Sequence, residues 1–314
     1  MRAACLGALL AGCHGGAGGF RVLARYPGPV ACAVVSGDTV WVGAGPQGLA
    51  ALPLAGGPGK AFGAEAGLKD NLLQVRWIAP GREGLWLATA GGVALFDPAR
   101  GMVVRSWTAR DGLGSDSVRW VGEGRGGVWA GTIAGASRRS PGAARWKAYT
   151  TANGLPQNHV YRMLDDGTSL WAACMMGGLA RFDPGRNRFA AVPQERGLGN
   201  KYLYAMEAAP GRLWLGSAAG LNLYDTAKAS WVESVTADGF TDYAVRAVAV
   251  AGDEVWFGTA YGLYRRNLAT GAQDRWTAGH GLPDDDVVAL ARSADGSLVV
   301  ATRTSVLVRR PPRP

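Results

Sequence analysis

A chain of 314 residues can hold one large domain or two ordinary ones, so its length alone sets no architecture. With 48 Gly, 12 Trp and only 18% charged residues, it fits an all-β protein with many turns and an aromatic core, and neither a helical nor a disordered chain. The formal charge of +9 would suit an acidic partner, but the Lys and Arg residues are scattered singly except in the tail Arg309-Arg310-Pro311-Pro312-Arg313; with no basic stripe or nucleic-acid motif, no nucleic acid is expected as a partner.

In chain order, the first feature is Met1-Arg2, a minimal positive start, followed by the short apolar stretch Ala3 to Leu10 and then Leu10-Ala11-Gly12-Cys13. This pattern reads as a secretory signal, and its small residues before a cysteine resemble the lipobox of bacterial lipoproteins. The resemblance implies cleavage after residue 12, lipidation of Cys13 and stable anchoring through two or three acyl chains. An ordinary cleaved signal is the alternative. Residues 13–19 would form a glycine-rich tether and residues 311–314 a disordered tail. No apolar run reaches the roughly 18 residues of a membrane-spanning helix. Cys32 and Cys174 remain as thiols in distant repeats, expected to be small core residues with no bridge between them.

Next comes a strand, Phe20 to Tyr26, that belongs to no repeat. Thereafter the chain is periodic: Trp41-Val-Gly-Ala, Trp86-Leu-Ala-Thr, Trp129-Ala-Gly-Thr, Trp171-Ala-Ala-Cys, Trp214-Leu-Gly-Ser, Trp256-Phe-Gly-Thr and a seventh copy, Val299-Val-Ala-Thr, at spacings of 45, 43, 42, 43, 42 and 43. A second marker keeps the same register: Gly67-Leu68, Gly112-Leu113, Gly154-Leu155, Gly197-Leu198, Gly239-Phe240 and Gly281-Leu282. Each unit resolves into four short strands, as in Val160 to Leu164, Leu170 to Cys174, Leu179 to Phe182 and Arg188 to Val192, separated by turn residues such as Asp165-Asp166-Gly167. Four strands in about 43 residues make a propeller blade. The Trp is expected to fill space between blades, and the Gly or Ala two positions on to face the crowded axis. Asp111, Asn153, Asp238 and His280, each before a Gly, are expected in left-handed backbone geometry. The seventh copy has only three strands, Val287 to Ser293, Ser297 to Thr302 and Ser305 to Arg310. Phe20 to Tyr26 is therefore predicted to supply its outer strand and close the ring. The fold expected over residues 20–310 is all-β: a seven-bladed β-propeller of four-stranded blades, the last closed by the N-terminal strand.

The combination Gly154-Leu155-Pro156-Gln157-Asn158-His159-Val160, then Asp166-Gly167, then Leu170-Trp171 resembles the two-component regulator propeller repeat. That family builds periplasmic ligand-binding sensor regions of bacterial hybrid histidine kinases. The resemblance implies an envelope module that binds a ligand or a protein partner. It does not extend to signalling by this chain alone, because the further domains of such sensors have no counterpart here.

Loops leading into the first strand of each repeat, and turns between second and third strands, share one face. There the chain offers Asn158-His159-Val160-Tyr161, Asn200-Lys201-Tyr202-Leu203-Tyr204 and Thr241-Asp242-Tyr243 with Arg246. The position after the recurring aliphatic holds Gln74, Arg119, Tyr161, Tyr204, Arg246 and Val288. Guanidinium forks and phenol rings converging on a channel mouth would suit a ligand bearing a carboxylate or a sugar. Arg119, His159, Tyr161, Lys201, Tyr204, Tyr243, Arg246 and Tyr261 are the candidate ligand-binding residues. The alternative is that they pack between blades and cap sheet ends. Met175, Met176 and Tyr261 could instead form an apolar rim for protein docking. Asp284-Asp285-Asp286 could hold a hard cation, though a solvated acidic loop is the plainer reading. No catalytic triad or phosphate-cradling loop is present, so no catalytic residue, metal or cofactor is expected, and the chain is expected to be a monomer. A metal-dependent lyase of the seven-bladed streptogramin type is the alternative reading, weakened by the lack of a His-Glu-His set; a structural docking scaffold is a third.

Overall fold

In the computed structural model, which describes residues 19–193, 198, 200–232 and 244–311, seven four-stranded antiparallel sheets follow one another around a ring. Blade 1 is Cys32–Ser36, Thr39–Gly43, Leu49–Pro53 and Lys60–Phe62, each strand paired with the next. Blades 2 to 6 repeat this order, starting at Val75, Val118, Val160, Leu203 and Ala247. Blade 7 consists of Val287–Arg292, Leu298–Thr302 and Ser305–Arg309, and its outer strand is Phe20–Arg25, which pairs with Ser305–Arg309 from Phe20 opposite Arg309 to Arg25 opposite Ser305. The predicted closure and blade count therefore hold, with strand ends within a residue or two of those read from the sequence.

The signature residues act as expected between blades. Trp86, Trp129, Trp214 and Trp256 are fully buried. A Cβ on Gly43 would lie 2.7 Å from both Cys32 Sγ and the Val75 carbonyl oxygen, so glycine lets the next blade's innermost strand approach. The fourth signature position is also buried: Thr89, Thr132 and Thr259 each donate a hydrogen bond to a carbonyl three residues on, holding the turn between second and third strands in place at the channel mouth. At the junction of blades 7 and 1 the filling is different. Val299 joins Val40, Val42, Val306, Val308 and small alanines in a cluster with no tryptophan.

One expectation is corrected. Asp111, Asn153 and His280 do not adopt left-handed geometry; they end short 3-10 turns, and the glycines after them carry the positive φ, 96° at Gly112 and 89° at Gly154. Asp111 and Asn153 instead accept hydrogen bonds from the backbone N–H of Thr108 and Thr150, closing capping boxes. Asp238 lies outside the described residues, as do residues 1–18 with Cys13. Cys32 and Cys174 are free and buried, and burial pushes both thiols up to about 12.

Candidate functional site

The innermost strands run from the mouth into the channel, and a recurrent irregularity sets what they present there. In blades 2, 3, 4, 5 and 7 the pairing shifts by one residue between Val75 and Trp77, Val118 and Trp120, Val160 and Arg162, Leu203 and Ala205, and Val287 and Ala289. Such a bulge leaves one residue out of the ladder and re-aims its side chain. The residues left out are Arg76, Arg119, Tyr161, Tyr204 and Val288, and all five line one cavity of about 740 Å³ at the mouth. Arg246 joins them from blade 6.

Six positions singled out from the sequence, Gln74, Arg119, Tyr161, Tyr204, Arg246 and Val288, thus come together. Blade 2 needs a correction. Its innermost strand begins at Val75, because Asp70–Leu73 is a 3-10 turn, so the residue equivalent to Arg119 is Arg76 and not Gln74. The signal was visible: Val75-Arg76-Trp77 and Val118-Arg119-Trp120 are the same tripeptide. Arg162 and Arg303 were also missed. Strict alternation would send Arg162 between blades, but the bulge at Tyr161 turns it into the channel and leaves Met163 to be buried between blades.

The remaining candidates lie elsewhere. His159 stands behind Tyr161, ring centroids 6.3 Å apart, and its Nε2 is buried without a partner. Burial first, and then the nearby Arg119 charge, pull its pKa below the ordinary histidine value, so it is neutral at pH 7. Lys201 is exposed, and Tyr261 is 52% exposed on the turn between second and third strands of blade 6; neither lines the cavity. Met176, 57% exposed with φ 66°, occupies the matching turn of blade 4. Tyr243 lies outside the described residues.

The charge of the cavity is uneven. Arg76, Arg119, Arg162, Arg246 and Arg303 all line it. Asp286 is the only carboxylate ion-paired to any of them among the described residues, held by Arg246 and by Arg303 Nε at 2.8 Å. Five guanidiniums against one carboxylate leave a surplus of four positive charges. Arg76 donates to Ser117 Oγ at 2.7 Å, and burial, followed by repulsion from Arg119, lowers its pKa. Tyr161 and Tyr204 meet edge to face at 5.8 Å and form the aromatic wall beside this charge.

The acidic run is used internally. Asp286 is paired as described, Asp284 accepts from the Asp286 N–H and from Thr304 Oγ1, and Asp285 accepts from the Ala278 N–H. Among the described residues no three His, Cys, Asp or Glu side chains come together as a metal-binding group.

No protein-family model matches the sequence, and comparison with curated proteins returns no match. Solved structures do share the fold. The chain is similar to the extracellular domain of a putative one-component system from B. thetaiotaomicron, with a TM-score of 0.80 and 15% identity over 94% of this chain and 40% of that one. It resembles PorZ, a surface component of the type-IX secretion system of Porphyromonas gingivalis, with a TM-score of 0.68 and 14% identity over 88% and 46% of the two chains. It also resembles a streptogramin B lyase, with a TM-score of 0.69 and 15% identity over 90% and 93%. The chain spans about two fifths of the one-component-system structure and under half of PorZ. No helix among the described residues is long and apolar enough to cross a membrane.

Proposed function

We propose that this protein is a non-catalytic binding module of the cell envelope, anchored through a lipidated Cys13, whose propeller mouth captures a small anionic ligand, carboxylate-bearing and sugar-sized. The observation that carries this reading is the surplus of guanidiniums around a cavity of about 740 Å³ with one aromatic wall. A volume of that order matches ligand sites in general. Arginine forks match carboxylate geometry, and tyrosine faces suit the apolar side of a sugar ring. The likeness to extracellular domains of putative one- and two-component systems supports an envelope setting. An arginine-lined cavity at the mouth favours a small ligand over docking of a partner on the Met176 and Tyr261 rim.

The test is calorimetric titration of the mature protein with galacturonate and with uncharged galactose. Binding of the acid alone is expected, weakened at least tenfold in Arg119→Gln. Equal binding of both sugars, or no effect of Arg119→Gln, would overturn the reading. The anchor is tested separately: Cys13→Ala should release the protein from membranes, and unchanged membrane association would refute the lipid attachment.

A further inference from the structure

Beneath the mouth lies a smaller cavity of about 60 Å³ in the channel, with Trp77, Cys32 and Glu207 in its wall. Ala31, Arg162, Arg246 and Val288 line both cavities and so mark the neck between them, and of its two arginines Arg162 has no carboxylate partner among the described residues. Its guanidinium rests on the Trp77 ring at 4.4 Å and the Tyr161 ring at 4.9 Å. Among the described residues its hydrogen bonds run from Nη1 to the carbonyls of Arg119, at 3.4 Å, and Tyr161, at 3.2 Å. Among the described residues Nε and Nη2 have no hydrogen-bond partner, and no carboxylate pairs with the group. Beside it, Arg119 Nε is buried and equally unpartnered. A partly buried guanidinium without a counter-charge is unfavourable, and a second cation adjacent makes it more so. Contact with two rings restrains the Arg162 guanidinium, whose planar fork matches a planar anion.

Resting on the mouth as the ligand site, we propose that the neck is a dedicated anion subsite, in which the ligand's carboxylate descends past Tyr161 and is held by the Arg162 fork, with the Arg119 charge beside it. The subsite selects ligands whose acid group projects from a narrow end. Asp286 already occupies Arg246 and Arg303, so those two are left to meet the neutral part of the ligand.

The experiment uses the mature chain with citrate as probe, by calorimetry and by tryptophan emission, on wild type, Arg162→Met, Arg162→Lys, Arg119→Gln and the outer-surface control Arg265→Met. Citrate is expected to shift the emission of Trp77, to bind Arg162→Met at least tenfold more weakly, to bind Arg162→Lys with an intermediate loss, and to leave Arg265→Met unchanged. Thermal melting shows that each variant is folded. If Arg162→Met binds citrate like wild type while Arg119→Gln does not, anions bind the outer mouth, and the neck subsite is wrong while the ligand site stands. If wild type binds neither citrate nor galacturonate, both fail.

Discussion

Two arginines rest on tryptophans in different parts of the molecule, and their surroundings part them. Arg265, on the third strand of blade 6, lies over Trp256 at 5.6 Å and Trp276 at 6.0 Å, and it is tied to Glu254 Oε1 at 2.8 Å and to Asp274. Burial alone would lower its pKa, but the hydrogen bonds and charges of Asp274 and Glu254 outweigh that and raise it. Arg162 is stacked just as well, yet has no carboxylate; burial lowers its pKa, and the neighbouring Arg119 pulls the same way. The first arrangement completes a structure. The second leaves a charge for something else to complete.

The comparison can be tested first through the rings. Trp256 is 1% exposed, and Trp256→Ala should cost about 3–5 kcal/mol in urea unfolding. Trp77 is half-buried with cavity space beside it, and Trp77→Ala should cost about 2 kcal/mol. Equal losses would make Trp77 a core residue like any other and blur the contrast.

The acids offer a second test. Glu254 is paired with Arg265, whereas Glu207 lines the lower cavity with Cys32, Arg162 and Arg246 and makes no ion pair among the described residues. Burial lifts the Glu207 carboxyl from 4.5 to about 7. The folded protein therefore holds this proton where the unfolded chain has released it, so stability should fall as pH rises from 4.5 to about 7, by about 2–3 kcal/mol, and level off above. Glu207→Gln should flatten that slope and be the more stable protein at pH 8. A slope unchanged in the variant would remove Glu207 as its source. Protonation also deletes a negative charge below the neck, so galacturonate, whose carboxylate is ionised at both values, should bind more tightly at pH 6 than at pH 8.

The smallest effect is the most direct. Arg265→Met should destabilise by about 1 kcal/mol, because it breaks a partly exposed paired charge. Arg162→Met should stabilise the ligand-free protein by about 1–2 kcal/mol, because it removes an unpaired charge from an enclosed site while the methionine still covers the rings. A loss of stability at Arg162 would show that the stacking and the two carbonyl bonds outweigh the missing counter-ion.

Much of this was legible in the chain itself. Tryptophans and glycine markers at intervals near 43 specify seven blades, since each repeat buries its apolar face only against the next, and the leftover strand at Phe20 has one open edge to join. Repetition also placed Arg119, Tyr161, Tyr204 and Arg246 at one height of the ring, because equivalent positions in a closed array share one radius and depth. Tertiary structure alone decided the rest. The bulges moved Arg162 from the blade interface into the channel, a shift of one residue that reverses the facing of every side chain after it. The pairing of Asp286 with Arg246, 40 positions away, exists only because blade 6 packs against blade 7, and its pairing with Arg303, 17 positions away, only because the blade 7 turn folds back beside the entry of that blade's first strand. Periodicity reports which side of a strand a residue occupies; which charges are left unanswered depends on what the other blades place opposite.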